Sequence, residues 1–394
     1  LLSKNASKLK TDNSNRVVRS CAVALSCLIT GPFLCEAIAQ APDEPAAATL
    51  QEQALALKEE TGTPGFGVTI MRGDEVLAEA AVGERAYGTG VNVQLNDVWH
   101  VGSITKSITA TLVARLVDQG HLDWNLSVTE ALGNSIDNID PAYAEVTFRE
   151  LLTHRAGLPS DINPITFATY SLSSDAVTAD RLAYAKVMLS QAPETPPGTQ
   201  HQYSNAGYII AGAMIEAVMQ ESWETLISQE VFQPLGLDTA GFGPVGLAET
   251  INQPRGHRKD GNTDDRIAVI PGTPGSDNPD VLGPAGRIHM SLRDLATYAV
   301  AHSVEVSDVT PFLSTESLQI LHKPELNNYA MGWVIRAGGA LLWHNGSNGM
   351  NYAELYIIPS EGFVIALAAN DYDINTLGPA LSRFAQTLIR DYRQ

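Results

Sequence analysis

The run SITKSITATLVARLVDQ, residues 103–119, decides the architecture. Ile104, Ile108, Ala110, Leu112, Val113, Leu116 and Val117 recur at helical spacing, and Gly120 stops the run. These apolar positions cover nearly the whole circumference. A helix that is apolar all round is buried at the centre of a protein rather than laid along its surface. The spacing therefore predicts one central helix, with a serine and a lysine at its N-terminal end.

On the N-terminal side, residues 65–71 and 76–83 are β-like runs around Arg72-Gly73-Asp74, a hairpin signal, preceded by a helical stretch at 50–60. On the C-terminal side, helices are predicted over 182–191, 207–220, 223–231 and 291–303, with a long Pro- and Gly-containing loop at 272–286. The chain then changes character. Residues 329–336, 340–343, 353–358 and 363–369 read as strands, with tight turns at Gly338-Gly339 and Ser360-Glu361-Gly362, before a closing helix over 374–393. The pattern predicts an α/β (α+β) fold. An antiparallel sheet is completed by both ends of the chain and flanked by helices, and a mostly helical part is inserted between. Residues 40–100 and 311–394 would form the sheet-bearing part, and 101–310 the helical part.

Of 394 residues, 44% are hydrophobic, enough for a substantial core. Twenty-five basic residues face 44 acidic ones, a net charge of −19. Such a chain is repelled by phosphate backbones and anionic lipid, so nucleic-acid partners are excluded. A small-molecule or peptide substrate remains.

Residues 1–39 differ from the rest. Lys4, Lys8, Lys10, Arg16 and Arg19 form a basic region, an apolar run follows from Cys21, and Ala37-Ile38-Ala39 is a small-residue cleavage site. This is the pattern of a secretory signal cut after Ala39, and it predicts a periplasmic or secreted bacterial protein. The apolar run is far below the ~20 residues a span requires, so no stable membrane insertion is expected after processing. All three cysteines (Cys21, Cys27 and Cys35) lie in this leader, so the processed chain would contain no disulfide, thiol nucleophile or cysteine metal site.

Three short motifs carry chemistry. Ser103 and Lys106, three apart on a helix, share a face, and a lysine among apolar neighbours can serve as base to a hydroxyl. Ser7 and Lys10 repeat the spacing in the leader, so the motif alone is weak. Tyr203-Ser204-Asn205 offers a phenol that can relay a proton and an amide that can hold a lysine and a substrate carbonyl. The bland alternative is a loop tyrosine beside a capping asparagine. His344-Asn345-Gly346-Ser347 ends a β-like run, where a strand-edge N–H can stabilise an oxyanion; otherwise it is a polar turn.

Taken in order on helix, loop and strand, these motifs make the chain resemble the penicillin-recognising serine hydrolases, in their class C β-lactamase-like branch. Residues 151–159 (LLTHRAGLP), 197–199 (PGT), 203–208 (YSNAGY), 234–237 (PLGL) and 283–286 (GPAG) extend the resemblance. It implies a serine β-lactamase/DD-peptidase-like fold and a covalent acyl-enzyme, without metal or cofactor. It further implies that Ser103 is the nucleophile, Lys106 its base, Tyr203 the proton shuttle, and Asn205 a clamp on Lys106 and the substrate. The N–H groups of Ser103 and Ser347 would form the oxyanion hole, and His344, Asn345 and Gly346 would line the substrate site. The family's Lys-Thr-Gly occurs nowhere in this chain, and His344 takes the lysine's place. A mostly neutral imidazole favours short esters or D-peptides over β-lactams.

Ester, D-amino-acid peptide and β-lactam all present a carbonyl to the same serine, and the sequence does not choose among them. A non-catalytic peptidoglycan-binding relative is the rival of another class, and the intact Ser103, Lys106 and Tyr203 argue against it. No serine lies in a Gly-x-Ser-x-Gly elbow, and no His-x-x-x-His exists. His154 and His201 are possible extra bases, read more simply as structural loop histidines. His257, His302 and His322 are expected at the surface. Oligomeric state is not encoded in any spacing.

Overall fold

Phe363–Ala369 alternates strictly between two cores. Phe363, Ile365, Leu367 and Ala369 face one, and Val364, Ala366 and Ala368 the other. A strand buried on both faces reads as a continuous apolar run, and this one is the middle of the sheet. The structure is a computed structural model that describes residues 49–160, 169, 176–261, 263, 265–303 and 312–393. The predicted leader lies outside the described residues.

Six antiparallel strands form the main sheet, in the order β2-β1-β11-β10-β9-β8. These are β1 (Gly65–Arg72), β2 (Glu75–Gly83), β8 (Val334–Arg336), β9 (Leu341–Ser347), β10 (Tyr352–Ile358) and β11 (Phe363–Ala369). β1 pairs with β11, so the two ends of the chain complete one sheet. On one face, Phe66, Val68, Ile70, Tyr352 and Tyr356 meet the helices Leu50–Thr61 and Ile374–Tyr392. Thr49 and Glu52 close a reciprocal capping box that starts the first of these.

On the other face lies a second core, which includes the Thr105–Asp118 helix. That helix is buried on nearly every side, as its apolar run predicts; Lys106, Ser107, Thr109 and Thr111 are buried with it. The helices Val177–Leu189 and Asn205–Met219 pack against each other, and Leu292–Val300 packs on β1 and β11. No helix among the described residues is long and apolar enough to cross a membrane.

Several expectations need correction. The strand expected over 329–336 is reduced to Val334–Arg336, because Gly332 turns the chain at φ +77° and Ala330 N–H bonds back to Trp333 O. The strand expected to stop at 343 continues to Ser347, so His344-Asn345-Gly346-Ser347 lies within β9 rather than in a turn. A small sheet was missed altogether: β3 (Val98–His100), β4 (Gly241–Phe242) and β7 (Ile288–Ser291), in the order β3-β7-β4. Runs of two to four residues are too short to show a period. A two-stranded hairpin, β5 (His257–Lys259) with β6 (Arg266–Ala268), was missed for the same reason.

The surface placement of His257, His302 and His322 is also corrected. His257 and His302 are fully buried. His257 Nε2 accepts from Tyr87 N–H at 3.0 Å while Nδ1 donates to the Asn370 carbonyl at 2.6 Å. His302 meets His322 at 3.0 Å and Tyr298 at 2.9 Å. Apart from Tyr298, four residues from His302, these partners lie well away in sequence and leave no local signal.

Candidate active site

Two glycines bring the walls of the site together. Gly102 has φ +51°, and a Cβ there would lie 2.1 Å from Ser347 N. A Cβ on Gly346 would lie 2.0 Å from Val101 O and 2.5 Å from Ser103 N. Only glycine at both positions lets β9 run directly against the turn that carries Ser103. The backbone N–H groups of Ser103 and Ser347 are thereby brought onto adjoining backbone.

Ser103 sits in a 3₁₀ turn, Gly102–Ile104, that leads straight into the Thr105–Asp118 helix. Three-residue spacing places Lys106 on the same face. Lys106 is fully buried. Its Nζ is 3.1 Å from Ser103 Oγ, 2.7 Å from Asn205 Oδ1 and 2.7 Å from the Ala285 carbonyl oxygen. Burial drives its pKa well below the usual lysine range. A neutral amine has two N–H bonds and one lone pair. In that form its two carbonyl-type neighbours would take the N–H bonds and the lone pair would face the serine hydroxyl.

Asn205 opens the Asn205–Met219 helix, and the cap position is Ser204. Ser204 does not cap with its side chain; its hydroxyl donates to Pro159 O at 2.6 Å and its N–H donates to His154 Nδ1 at 3.0 Å. These bonds hold the flanking Tyr203 in place. The Tyr203 ring centroid is 4.9 Å from Lys106 Nζ. Burial raises the pKa of its phenol, and a hydrogen bond with Ser103 counters part of the rise.

β9 brings His344 and Gly346 to the serine side of the sheet. His344 is buried, and burial together with the neighbouring Lys106 pushes its pKa down to about 3. Asn345 faces the other way, donating from Nδ2 to the Tyr352 hydroxyl at 3.1 Å. Ser347 Oγ accepts from Gly349 N–H at 2.8 Å, so its backbone N–H is the group at hand. The structure thus gathers Ser103, Lys106, Tyr203, Asn205, His344 and Gly346, and it does not bring the Asn345 side chain to them.

Sequence reasoning missed the Ala285 carbonyl, although 283–286 was noted as a motif. It also missed Tyr329, which has no local signature. His154 adopts φ +58° and is buried, with Tyr203, Tyr208 and Tyr329 rings at 4.3, 5.4 and 4.7 Å. Both its nitrogens are withdrawn from solvent, which places it in a structural role behind Tyr203. His201 meets it edge-on, with ring centroids 5.7 Å apart. Among the described residues no cluster of three or more His, Cys, Asp or Glu side chains could hold a metal ion.

Comparison with known proteins identifies the family. Penicillin-binding protein 4 of Amycolatopsis lactamdurans is 27% identical over 335 residues, which cover 81% of this chain and 84% of that protein. An unguisins hydrolase of Aspergillus campestris is 25% identical over 342 residues; these span 81% of this chain but only 60% of that protein. The D-amino acid amidase of Ochrobactrum anthropi SV3 shares the fold with a TM-score of 0.69 at 18% identity, covering 86% of this chain and 99% of the other. The family model named Beta-lactamase matches residues 46–386. With its mixed fold, antiparallel sheet and serine-lysine-tyrosine cluster, the chain belongs to the beta-lactamase family.

Proposed function

We propose that the protein is a serine hydrolase that opens an ester or amide bond through an acyl-enzyme on Ser103. The observation that carries this reading is the environment of Lys106, a buried amine held by two carbonyl-type oxygens with its third direction on Ser103 Oγ. Lys106 takes the serine proton as Oγ attacks the substrate carbonyl carbon. The resulting oxyanion rests between the N–H groups of Ser103 and Ser347. Collapse expels the alcohol or amine, protonated through Tyr203, and leaves the acyl group on Ser103. Water then attacks the ester, its proton passes to Tyr203 or Lys106, and that group returns a proton to Ser103 Oγ as the acid departs.

The charge at His344 supports a reading of the substrate class. His344 stands where the resemblance implies a lysine, and a pKa of about 3 keeps it uncharged at neutral pH. It offers no cation to a carboxylate. Uncharged esters or amides suit the site better than carboxylate-bearing β-lactams. The similarity to a hydrolase and a penicillin-binding protein supports acyl chemistry without choosing the acyl group. The leader supports export to the periplasm or medium, which N-terminal sequencing beginning near Gln40 would bear out.

The test is one purified sample assayed against p-nitrophenyl esters, D-Ala-containing amides and nitrocefin, with intact-protein mass after a fluorophosphonate probe. Adduct on Ser103 and ester or amide turnover are expected. Turnover by Ser103→Ala, or nitrocefin hydrolysis far faster than every ester and amide, would overturn the proposal.

A further inference from the structure

One carboxylate ties two walls of the site together from behind. Asp277 lies in the loop between β6 and β7 and is almost wholly buried, its side chain 4% exposed. Its Oδ1 accepts from Asn348 Nδ2 at 3.0 Å. Asn348 follows Ser347, and its Oδ1 in turn accepts from Met350 N–H at 3.2 Å and Asn351 N–H at 3.0 Å, which fixes the turn after β9. The same Asp277 oxygen is 3.0 Å from His100 Nε2, off the in-line direction of a full hydrogen bond. His100 is buried, and its Nδ1 accepts from Gly102 N–H at 3.1 Å. That bond fixes the tautomer: Nδ1 is the acceptor, and Nε2 carries the proton that faces the carboxylate.

Gly102 immediately precedes Ser103. Thus one branch from Asp277 reaches the residue before the first oxyanion donor, and the other reaches the residue after the second. The neighbouring Asn278 completes the set, since its Nδ2 donates to Gly286 O at 2.7 Å, next to the Ala285 carbonyl that holds Lys106. Arg287 faces the free oxygen of Asp277 at 3.6 Å and also pairs with Asp280. Burial pushes the Asp277 pKa up, but His100, Arg287 and the Asn348 amide hold it below the ordinary aspartate value.

We propose that Asp277 is a positioning residue that sets the spacing of the Ser103 and Ser347 N–H groups through His100 and Asn348. It touches no reacting atom. Its removal is expected to weaken oxyanion stabilisation in both acylation and deacylation while leaving ground-state binding of the substrate nearly intact. This inference rests on the serine-hydrolase reading above.

The test compares the parent with Asp277→Ala, Asp277→Asn and Asn348→Ala. Rates are expressed per fluorophosphonate-titrated Ser103, so misfolded protein does not count. The expected result is kcat lower by about tenfold to a hundredfold in Asp277→Ala, less than the ~10²–10³ for deleting an oxyanion donor outright, with KM for a neutral ester changed less than threefold. Affinity for an alkyl boronic acid, which places an anionic oxygen in the hole, should fall by the same factor as kcat. Asp277→Asn should recover part of the loss, and Asn348→Ala should show the same split. In ¹⁵N spectra the Nε2 resonance of the His100 ring should shift in Asp277→Ala, while the Gly102 N–H bond keeps the proton on Nε2. Unchanged kcat per titrated site, or a loss confined to KM, overturns the inference. Failure of Asp277→Ala to fold leaves the decision to the other two variants. Failure of the parent to label on Ser103 would instead overturn the serine reading.

Discussion

The Tyr329 hydroxyl lies 3.0 Å from His344 Nε2, while His344 Nδ1 lies 2.5 Å from the Asn345 carbonyl oxygen. A carbonyl can only accept, so Nδ1 carries the proton and Nε2 accepts from the phenol. The pair therefore fixes a neutral imidazole beside Lys106. Hydrolysis of an uncharged ester should show no acid limb from His344 between pH 5 and 8. His344→Ala should reduce kcat/KM by about tenfold, the scale of one lost neutral hydrogen bond. A loss of several orders of magnitude in steady-state assays would give His344 a direct chemical role.

Lys106 should be the residue whose protonation shuts the enzyme down. Its pKa is depressed by burial, so the acid limb of kcat/KM should fall at a pH below the usual lysine range. Lys106→Ala should slow acylation by several orders of magnitude, because a serine hydroxyl without a base is a poor nucleophile. A pH–rate profile and stopped-flow labelling of the variant check both statements.

Tyr203→Phe keeps the ring that packs on His154 and removes only the hydroxyl. Proton transfer by such a group is worth ~10²–10⁴ in rate. The variant should melt within a few degrees of the parent and lose that factor in kcat. Full activity would move the proton relay to another group.

Gly346→Ala should separate the two oxyanion donors. The added methyl would meet Val101 O and Ser103 N at distances no Cβ tolerates, so β9 must shift outward. A fall of at least ~10² in kcat is expected, comparable to losing one donor, with a lower melting temperature. Calorimetry and ester kinetics on the same sample test it.

Acid stability should reflect the buried histidines. His154, His302, His322 and His344 all have pKa values lowered by burial, to about 4 for His322 and about 3 for His344. Below pH 6.5 the unfolded chain binds protons that the folded one refuses, so stability falls as pH falls. Each such group adds a slope of up to about 1.4 kcal/mol per pH unit between its unfolded and folded pKa. Melting temperatures measured from pH 7 to 4 should decline steeply, and His302→Gln should flatten the decline.

The central helix was legible because its apolar positions surround it, and β10 and β11 because both their faces are buried. The Ser103–Lys106 pair was legible as a spacing, and its conjunction with Tyr203 and Asn205 gave it weight. The orientation of Asn345 was not legible, because strand alternation assigns a side only after the register with Glu354 is known. His257, His302 and the Asp277 hub were invisible for a related reason: each is satisfied in large part by partners outside its own segment. Strands of two or three residues, such as β4 and β5, carry no period to detect.

The pairing of β1 with β11 has a consequence for how the molecule is made. Gly65 N–H bonds to the Asn370 side chain at 2.7 Å across a separation of 305 residues. A ribosome must therefore add those 305 residues before β1 can pair with β11. Until then one side of the first hairpin presents unmatched amides and carbonyls, an invitation to pair with another nascent chain. Closure over so long a loop is intrinsically slow. β9 joins the same sheet late in synthesis, so the oxyanion hole is assembled only near the end. A truncated product can keep the nucleophile's helix and still lack a working centre.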